Sequence, residues 1–287
     1  VGLMTERAAA ESGWFAGVDA GDEEGAIDAV ATGAADKPAD WPGLAVEAGV
    51  ADSVEDYYDR LHEVTVAAAR AGVHERERAD DQQLIHAVRA LDDCVRTRNE
   101  LAERVAEWGE SRSADAGSGV EYARELATAE GDDAAGEGLQ SLAQRVVDLD
   151  EEATRLRAYI DRTAPEVAPN LAALAGPVLA ARLLSLAGGL ESLARKPSGT
   201  VQVLGAEDAL FAHLRGNAPS PKHGVIFTHE AVRGTHPDNR GSAARALAGK
   251  LTIAARIDYY SGDLRPDLQE ELDERIETIQ ARTEGEQ

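Results

Sequence analysis

The chain has 287 residues, of which 53 are Asp or Glu and 29 are Lys or Arg, so its net charge is −24. Its single cysteine excludes an intramolecular disulfide and a four-cysteine zinc site. No apolar run approaches the ~18 residues that cross a bilayer, and no signal-peptide pattern opens the chain, so we expect a cytoplasmic protein. Four lysines against 25 arginines, with abundant Asp, Glu and Ala, are typical of a halophilic protein. The overall charge therefore concerns solubility rather than chemistry.

Residues 1–52 are acidic and are interrupted by Gly and Pro. The segment 13–18 (GWFAGV) has the composition of a short strand, so we predict a small, reduced α/β domain here. Asp19, Asp22 and Asp28 lack the alternating spacing of an EF-hand loop, and we interpret them as surface residues. Residues 53–111 are predicted to be helical, with Ser53 or the residue before it as the N-cap.

Residues 139–160 have the sharpest periodicity in the chain. Apolar residues there are spaced 3, 4, 3, 4, 3, 4, as in an a/d seam over three heptads: Leu139, Leu142, Val146, Leu149, Ala153, Leu156 and Ile160. The expected partner is a helix over 81–111, joined through a polar tip at about 109–137, so that 53–164 contains an antiparallel coiled-coil arm. Such an arm commonly dimerises, because two helices alone bury little area. The alternative is a two-helix piece of a globular bundle.

Residues 165–262 are the one cationic stretch, with ten Lys or Arg and seven Asp or Glu. Helical runs alternate there with Gly and Pro, and an acidic amphipathic helix and tail follow over 263–287. A region that is spared in an otherwise acidic chain predicts contact with a polyanion.

No catalytic pattern is present: the sequence has no G-x-S-x-G, no P-loop and no H-E-x-x-H. The histidines of the cationic stretch lack zinc-ligand spacing, and Cys94 is interpreted as a packed thiol. We therefore predict no enzymatic activity, no metal and no cofactor.

Two segments of the cationic stretch resemble the signature of the Nop domain: residues 202–213 (QVLGAEDALFAH) and 221–226 (PKHGVI). Residues 86–93, 167–176, 180–190 and 245–258 are also similar to that family, which includes the archaeal Nop scaffold of box C/D RNA-guided methylation particles. The resemblance extends from about residue 54 to residue 261. It is weak over 1–50, which are shorter than the family's usual N-terminal domain.

The resemblance implies a mainly α architecture: an N-terminal α/β domain, a dimerising antiparallel coiled coil and an all-helical Nop domain. It also implies a non-catalytic scaffold of the box C/D ribonucleoprotein that guides 2′-O-methylation of rRNA or tRNA. The N-terminal domain would hold the methyltransferase fibrillarin, and the Nop domain would bind kink-turn RNA together with a ribosomal-type protein. The coiled coil would pair two copies of the chain. The alternative is a splicing-type or general RNA-binding adaptor without a methyltransferase partner.

The candidate RNA-binding residues lie in and after the two signature segments. Lys222, His223 and the helix that begins near Gly205 are the primary candidates. The others are Gln202, Glu207, His213, Arg215, Arg240, Arg245 and Lys250. The family usually has Lys where this chain has Asp208, and a basic residue where it has Ala212. We therefore expect binding to depend more on shape, on the protein partner and on apolar packing.

Overall fold

The computed structural model describes residues 13–15, 18, 22–33 and 39–284, which form helices and turns and contain no strand. The chain divides into two compact units, residues 1–79 and residues 80–287.

The described residues of the N-terminal unit form three helices. They are α1 (Glu23–Thr32), α2 (Trp41–Glu47) and α3 (Val54–Arg78). Both α1 and α2 pack against α3. The Ser53 hydroxyl accepts a hydrogen bond from the Asp56 N–H at 3.1 Å, and the Asp56 carboxylate accepts one from the Asp52 N–H at 2.8 Å. This reciprocal cap confirms the predicted start of α3.

The structure corrects the expectation of an α/β domain over 1–52, since the described residues of that range contain no strand. Trp14 and Phe15 lie in a turn, while residues 16, 17 and 19 lie outside the described residues. The Phe15 ring is buried edge-on against Tyr57, with 6.1 Å between ring centroids. The segments that would supply neighbouring strands are helical instead, because Asp22 and Asp40 cap α1 and α2.

The second unit begins with the arm. Its helices are α4 (Asp80–Glu110), α5 (Gly119–Thr128) and α6 (Ala134–Val167). Trp108, near the end of α4, lies beside Gly138, near the start of α6. Arg98, in the middle of α4, donates to Asp150, further along α6, at 2.7 Å. Later residues of α4 thus meet earlier residues of α6, so the two helices are antiparallel.

The predicted seam of α6 is buried on one side only. Leu139, Val146, Ala153 and Ile160 are buried, whereas Leu142, Leu149 and Leu156 are half-buried. A single partner helix covers one edge of a heptad seam, so the second edge keeps contact with solvent.

The expected polar tip contains helix α5, which packs against both α4 and α6. Ala123 of α5 is fully buried in an apolar cluster that includes Val105 and Val146. Below this cluster, Arg98 of α4 and Arg124 of α5 both donate to the Asp150 carboxylate of α6. Asp150 therefore joins all three helices of the arm.

The remaining residues form a helical domain. Its elements are α7 (Pro169–Ala175), α8 (Pro177–Ala187), α9 (Leu190–Arg195), α10 (Ser198–Val203), α11 (Glu207–Leu214), a 3₁₀ turn (Val225–Thr228), α12 (Glu230–Arg233), α13 (Arg240–Tyr260) and α14 (Asp267–Glu284). Helix α13 is central, and α7, α9, α10, α12 and α14 all pack against it. Small side chains allow this close approach: Ala243, Ala244, Ala248, Ala254 and Ala255 are fully buried.

A buried polar pair holds the end of α13 in place. The Asp258 carboxylate accepts hydrogen bonds from the backbone N–H groups of Asn170 and Leu171, at 2.9 and 2.8 Å, and so caps α7. The Asn170 side chain in turn donates to Asp258 at 2.7 Å and accepts from the Arg265 N–H at 2.6 Å. The C-terminal helix α14 then packs its predicted apolar stripe into the core, except for Leu264, which precedes the helix and is exposed.

The arm is joined to this domain by polar contacts between α4 and α8. Arg89 donates to the Ser185 hydroxyl at 3.0 Å, and Arg182 pairs with Asp92. Within the described residues no single helix combines the length and apolar composition needed to cross a bilayer. Helices α7 and α8 reach that composition only as a pair, and the chain bends by 117° between them.

The arm's three-helix contact predicts the effect of Asp150→Ala. The substitution leaves Arg98 and Arg124 without their shared acceptor, and we expect it to lower the free energy of unfolding by about 1–3 kcal/mol. Urea unfolding followed by circular dichroism measures the loss. The matched control is Asp161→Ala, which removes an exposed carboxylate from the same helix and should change stability by less than about 0.5 kcal/mol. Equal effects of the two substitutions would contradict the role given to Asp150.

Candidate nucleic-acid interface

The fold brings the two signature segments into direct backbone contact. The Gly224 N–H donates to the Gln202 carbonyl at 2.9 Å, and the Val225 N–H donates to the Leu204 carbonyl at 2.7 Å. The two segments are separate in the chain, but these hydrogen bonds bring them together. The two parts of the signature therefore belong to one site.

Glycine is required at the crossing point. A Cβ atom on Gly224 would overlap the Leu204 carbonyl oxygen, so no other residue permits this approach. Gly205 turns the first segment into α11 with a φ of +80°, and its N–H donates to the Glu207 carboxylate at 2.8 Å. Glu207 therefore stabilises the turn, although the sequence analysis placed it among the RNA-binding residues.

Lys222 is positioned by the same crossing. The Gln202 side chain donates to the Lys222 carbonyl at 2.7 Å, so Gln202 supports the loop that presents Lys222. The Lys222 side chain lies over Gly241 at the start of α13. Its ammonium group makes no ion pair with any described residue, which leaves it available to a phosphate.

His223 forms a stack with its neighbours. Its ring lies on Phe227 with 4.5 Å between centroids and an interplanar angle of 18°, and the Arg240 guanidinium lies 5.3 Å from the Phe227 centroid. Burial lowers the pKa of His223, and the positive charges of Arg240 and Lys222 lower it further. A neutral imidazole beside two cations can stack on a base or donate to a phosphate.

The ten cations of residues 165–262 fall into three groups. Four are paired with carboxylates: Arg182, Arg195, Arg233 and Lys250. Two donate to backbone carbonyls: Arg240 and Arg256. Four make no ion pair or hydrogen bond with the described residues: Lys196, Arg215, Lys222 and Arg245. Three of these four were candidates from the sequence, and Lys196 was not.

The other sequence candidates have local partners. Lys250 is held by Glu271 of α14, so its charge is largely neutralised. His213 contacts the Ala218 carbonyl through Nδ1 at 3.0 Å. Asp208 is exposed on α11, where the family usually has a cation.

Helix α11 shows two residues that sequence reasoning missed. None of its residues is buried, and Phe211 and Leu214 are 56% and 71% exposed. Glycines with positive φ, Gly205 and Gly216, stand at its two ends. An apolar residue in a short helix is usually interpreted as core, so only the structure reveals this exposed apolar pair.

The fold and the site define a helical domain that carries a basic surface and is joined to a two-helix arm. Residues 76–278 match the family described as Nop, snoRNA binding domain, fibrillarin, and the chain therefore belongs to that family. A NOP5 family protein of Methanocaldococcus jannaschii is 33% identical over 270 residues, which cover 81% of this chain and 65% of that protein. Nucleolar protein 56 of Dictyostelium discoideum is 46% identical over 119 residues, which cover 42% of this chain and 22% of that protein.

A solved fibrillarin/Nop5p complex contains a similar chain. The TM-score is 0.52 at 26% identity, and the match covers 91% of this chain and 92% of the other. The chain thus spans most of that structure but less than two thirds of the length of the two relatives named above.

The crossing of the two segments makes Gly224→Ala a sharp test of the site. The added methyl group overlaps the Leu204 carbonyl, so we expect a loss of about 2–4 kcal/mol in the free energy of unfolding. Chemical denaturation measures it. Gly199→Ala is the control, because a Cβ atom there meets open space. An unchanged stability of Gly224→Ala would show that the segments are not in contact.

Proposed function

We propose that this protein is the non-catalytic core scaffold of a box C/D ribonucleoprotein that guides 2′-O-methylation of rRNA or tRNA. Membership of the Nop family supports the proposal. The observation that carries it is the joined signature, where Lys222 and His223 stand at one surface without a carboxylate partner among the described residues. In an acidic chain, unpaired cations at one place favour a polyanionic ligand. A cytoplasmic location is part of the proposal.

Kink-turn RNA and its ribosomal-type partner protein are the proposed ligands of residues 165–262. Lys222, Arg215 and Arg245 have free charges for phosphates, and His223 has a ring face near Lys222. Phe211 and Leu214 add an exposed apolar surface that a protein partner or an unstacked base can cover. Asp208 removes one expected cation, so apolar contact gains importance.

Fibrillarin is the proposed methyltransferase partner. The solved relative is a fibrillarin/Nop5p complex, and the structural match includes most of this chain. We assign the contact with fibrillarin to the N-terminal unit, and within it to the aromatic cluster of Trp14, Phe15, Trp41 and Tyr57. The described residues of this unit form helices and turns.

A homodimer through the arm completes the proposal. Leu142, Leu149 and Leu156 form a half-buried line with a spacing of seven residues on α6. A second copy of the chain could cover this line. Leaving these apolar side chains in contact with water costs free energy, which favours such a partner. The arm is assigned to residues 53–164 and the RNA-binding domain to 165–262.

The double substitution Lys222→Ala, His223→Ala tests the RNA site. We expect it to abolish ternary assembly with kink-turn RNA and the ribosomal-type protein, with a loss of at least about 100-fold in apparent affinity. Electrophoretic mobility shift measures assembly at fixed salt. Lys250→Ala is the control: its charge is already paired with Glu271, so assembly should weaken by less than about threefold. Unaltered assembly of the double variant would rule out this site, provided that both variants unfold at the wild-type temperature.

The mass of the particle tests both dimerisation through the arm and binding of fibrillarin. Light scattering of the reconstituted particle should give two copies of the chain and two of fibrillarin. Leu149→Asp with Leu156→Asp should halve that mass, because two charges interrupt the apolar line. Asp161→Ala, an exposed change on the same helix, should leave the mass unchanged. A wild-type particle that lacks fibrillarin at its native salt concentration would instead support the RNA-binding adaptor.

A further inference from the structure

We propose that the exposed face of α13 is a track for the phosphate backbone of RNA, which continues from Lys222 at one end of the helix to Lys196 at the other. The proposal rests on the proposed function, since the RNA would be the duplex stem next to the kink-turn. It adds a second contact surface to the same guide RNA.

The composition of this face sets it apart from the rest of the chain. Helix α13 is packed on most sides, and its exposed residues are Ser242, Arg245, Ile253, Arg256, Tyr259 and Tyr260. All but Tyr259 follow one line along the helix, with the half-buried Gly249 in its middle. None of the six is acidic, although the chain has 53 acidic residues. The one carboxylate of the helix, Asp258, is buried and caps α7. The exposed face of α13 therefore lacks the acidic residues that make the rest of the chain soluble.

Free cations lie at intervals along this line. Lys222 lies over Gly241 at the first turn, and Arg245 follows one turn later. At the far end, Arg256 donates to the Ala194 carbonyl at 3.0 Å, which brings the end of α9 and Lys196 beside it. Lys222, Arg245 and Lys196 make no ion pair with the described residues. The nearest paired carboxylates, Glu271 and Glu191, are already engaged with Lys250 and Arg195.

Gly249 occupies the middle of the line, and the packing of the protein does not explain it. A Cβ atom at this position would meet nothing within 4 Å. Glycine inside a helix lowers stability relative to alanine, because it loses more conformational freedom on folding. A glycine that the core does not require, on an acid-free face, is consistent with close approach by a ligand from outside.

The length and the side chains of the face fit RNA. From residue 242 to residue 260 the helix rises about 27 Å, which is long enough to follow several phosphates of one strand. Ile253 is 42% exposed and Tyr260 is 71% exposed, and these side chains offer contacts to sugars and to an unstacked base.

Gly249→Glu separates binding from folding. Glutamate is a better helix former than glycine, so the variant should unfold at or above the wild-type temperature. Its carboxylate stands in the middle of the track, so its affinity for RNA should fall by about tenfold at 0.1 M salt. Gly249→Ala is the matched control: it adds a methyl group but no charge, so it should lose less affinity than Gly249→Glu. The measurement is fluorescence anisotropy of the full chain with two RNAs: a plain duplex, and a kink-turn RNA extended by the same duplex.

Arg245→Gln tests the same track by its salt dependence. The slope of log affinity against log salt should decrease by about 0.7–0.9 for one lost phosphate contact. Arg157→Gln, an exposed arginine of α6 without an ion pair to the described residues, should keep the wild-type slope.

The outcomes decide the track and the proposed function separately. Equal affinities of Gly249→Glu and Gly249→Ala on both RNAs overturn the track, whatever the kink-turn site does. The track is also overturned if Gly249→Glu keeps its affinity for both RNAs and loses only binding to the ribosomal-type protein or to a second copy of the chain. A loss on the plain duplex supports the track even if Lys222→Ala, His223→Ala leaves kink-turn assembly intact, a result that would rule out the Lys222 and His223 site alone. A particle that lacks fibrillarin would overturn the proposed function and leave the track standing.

Discussion

The close packing of α13 is the constraint on which the rest of the domain depends. Its alanines allow five helices to approach one axis, and its single carboxylate, Asp258, is used to cap α7 rather than to face solvent. Because those five helices cover most of its circumference, only one line of side chains remains outside. The first turn of α13 also supports Lys222, through Gly241. The core and the candidate interface are therefore two sides of the same helix.

Charge is distributed by pairing as much as by composition. The cationic stretch has a net charge of only +3, and four of its ten cations are held by carboxylates. The ligand would therefore meet a few free charges in a defined arrangement rather than a general positive field. At high salt, where long-range attraction is screened, such short-range positioning matters more. The stack of His223 on Phe227 and the exposed Phe211 add contacts that salt does not screen.

Much of the fold follows from local patterns. The heptad spacing from Leu139 to Ile160 identifies α6, and Ser53 with Asp56 identifies the start of α3, because both signals depend on residues within a turn or two. The failure over 1–52 has a physical cause: an aromatic pair such as Trp14 and Phe15 suits a strand or a helical core equally well. Which one forms depends on partners elsewhere in the chain. The sequence also allows a short helix around 120–129 in the polar tip, and α5 lies there, although its burial through Ala123 depends on α4 and α6.

Composition, periodicity and the two signature segments are local properties, and they are enough to identify a mainly helical, acidic member of the Nop family with one cationic region. Which charges are free depends on contacts between distant helices. Lys222 and Lys250 were both candidates from the sequence, but among the described residues Lys250 meets a carboxylate and Lys222 does not, because α14 returns across α13 and brings Glu271 to Lys250. The role of Gly224 is visible only where Leu204 crosses it, and the open space beside Gly249 is visible only once the helices around α13 are in place. Each of these facts depends on contacts between residues far apart in the chain, which no single-sequence pattern encodes.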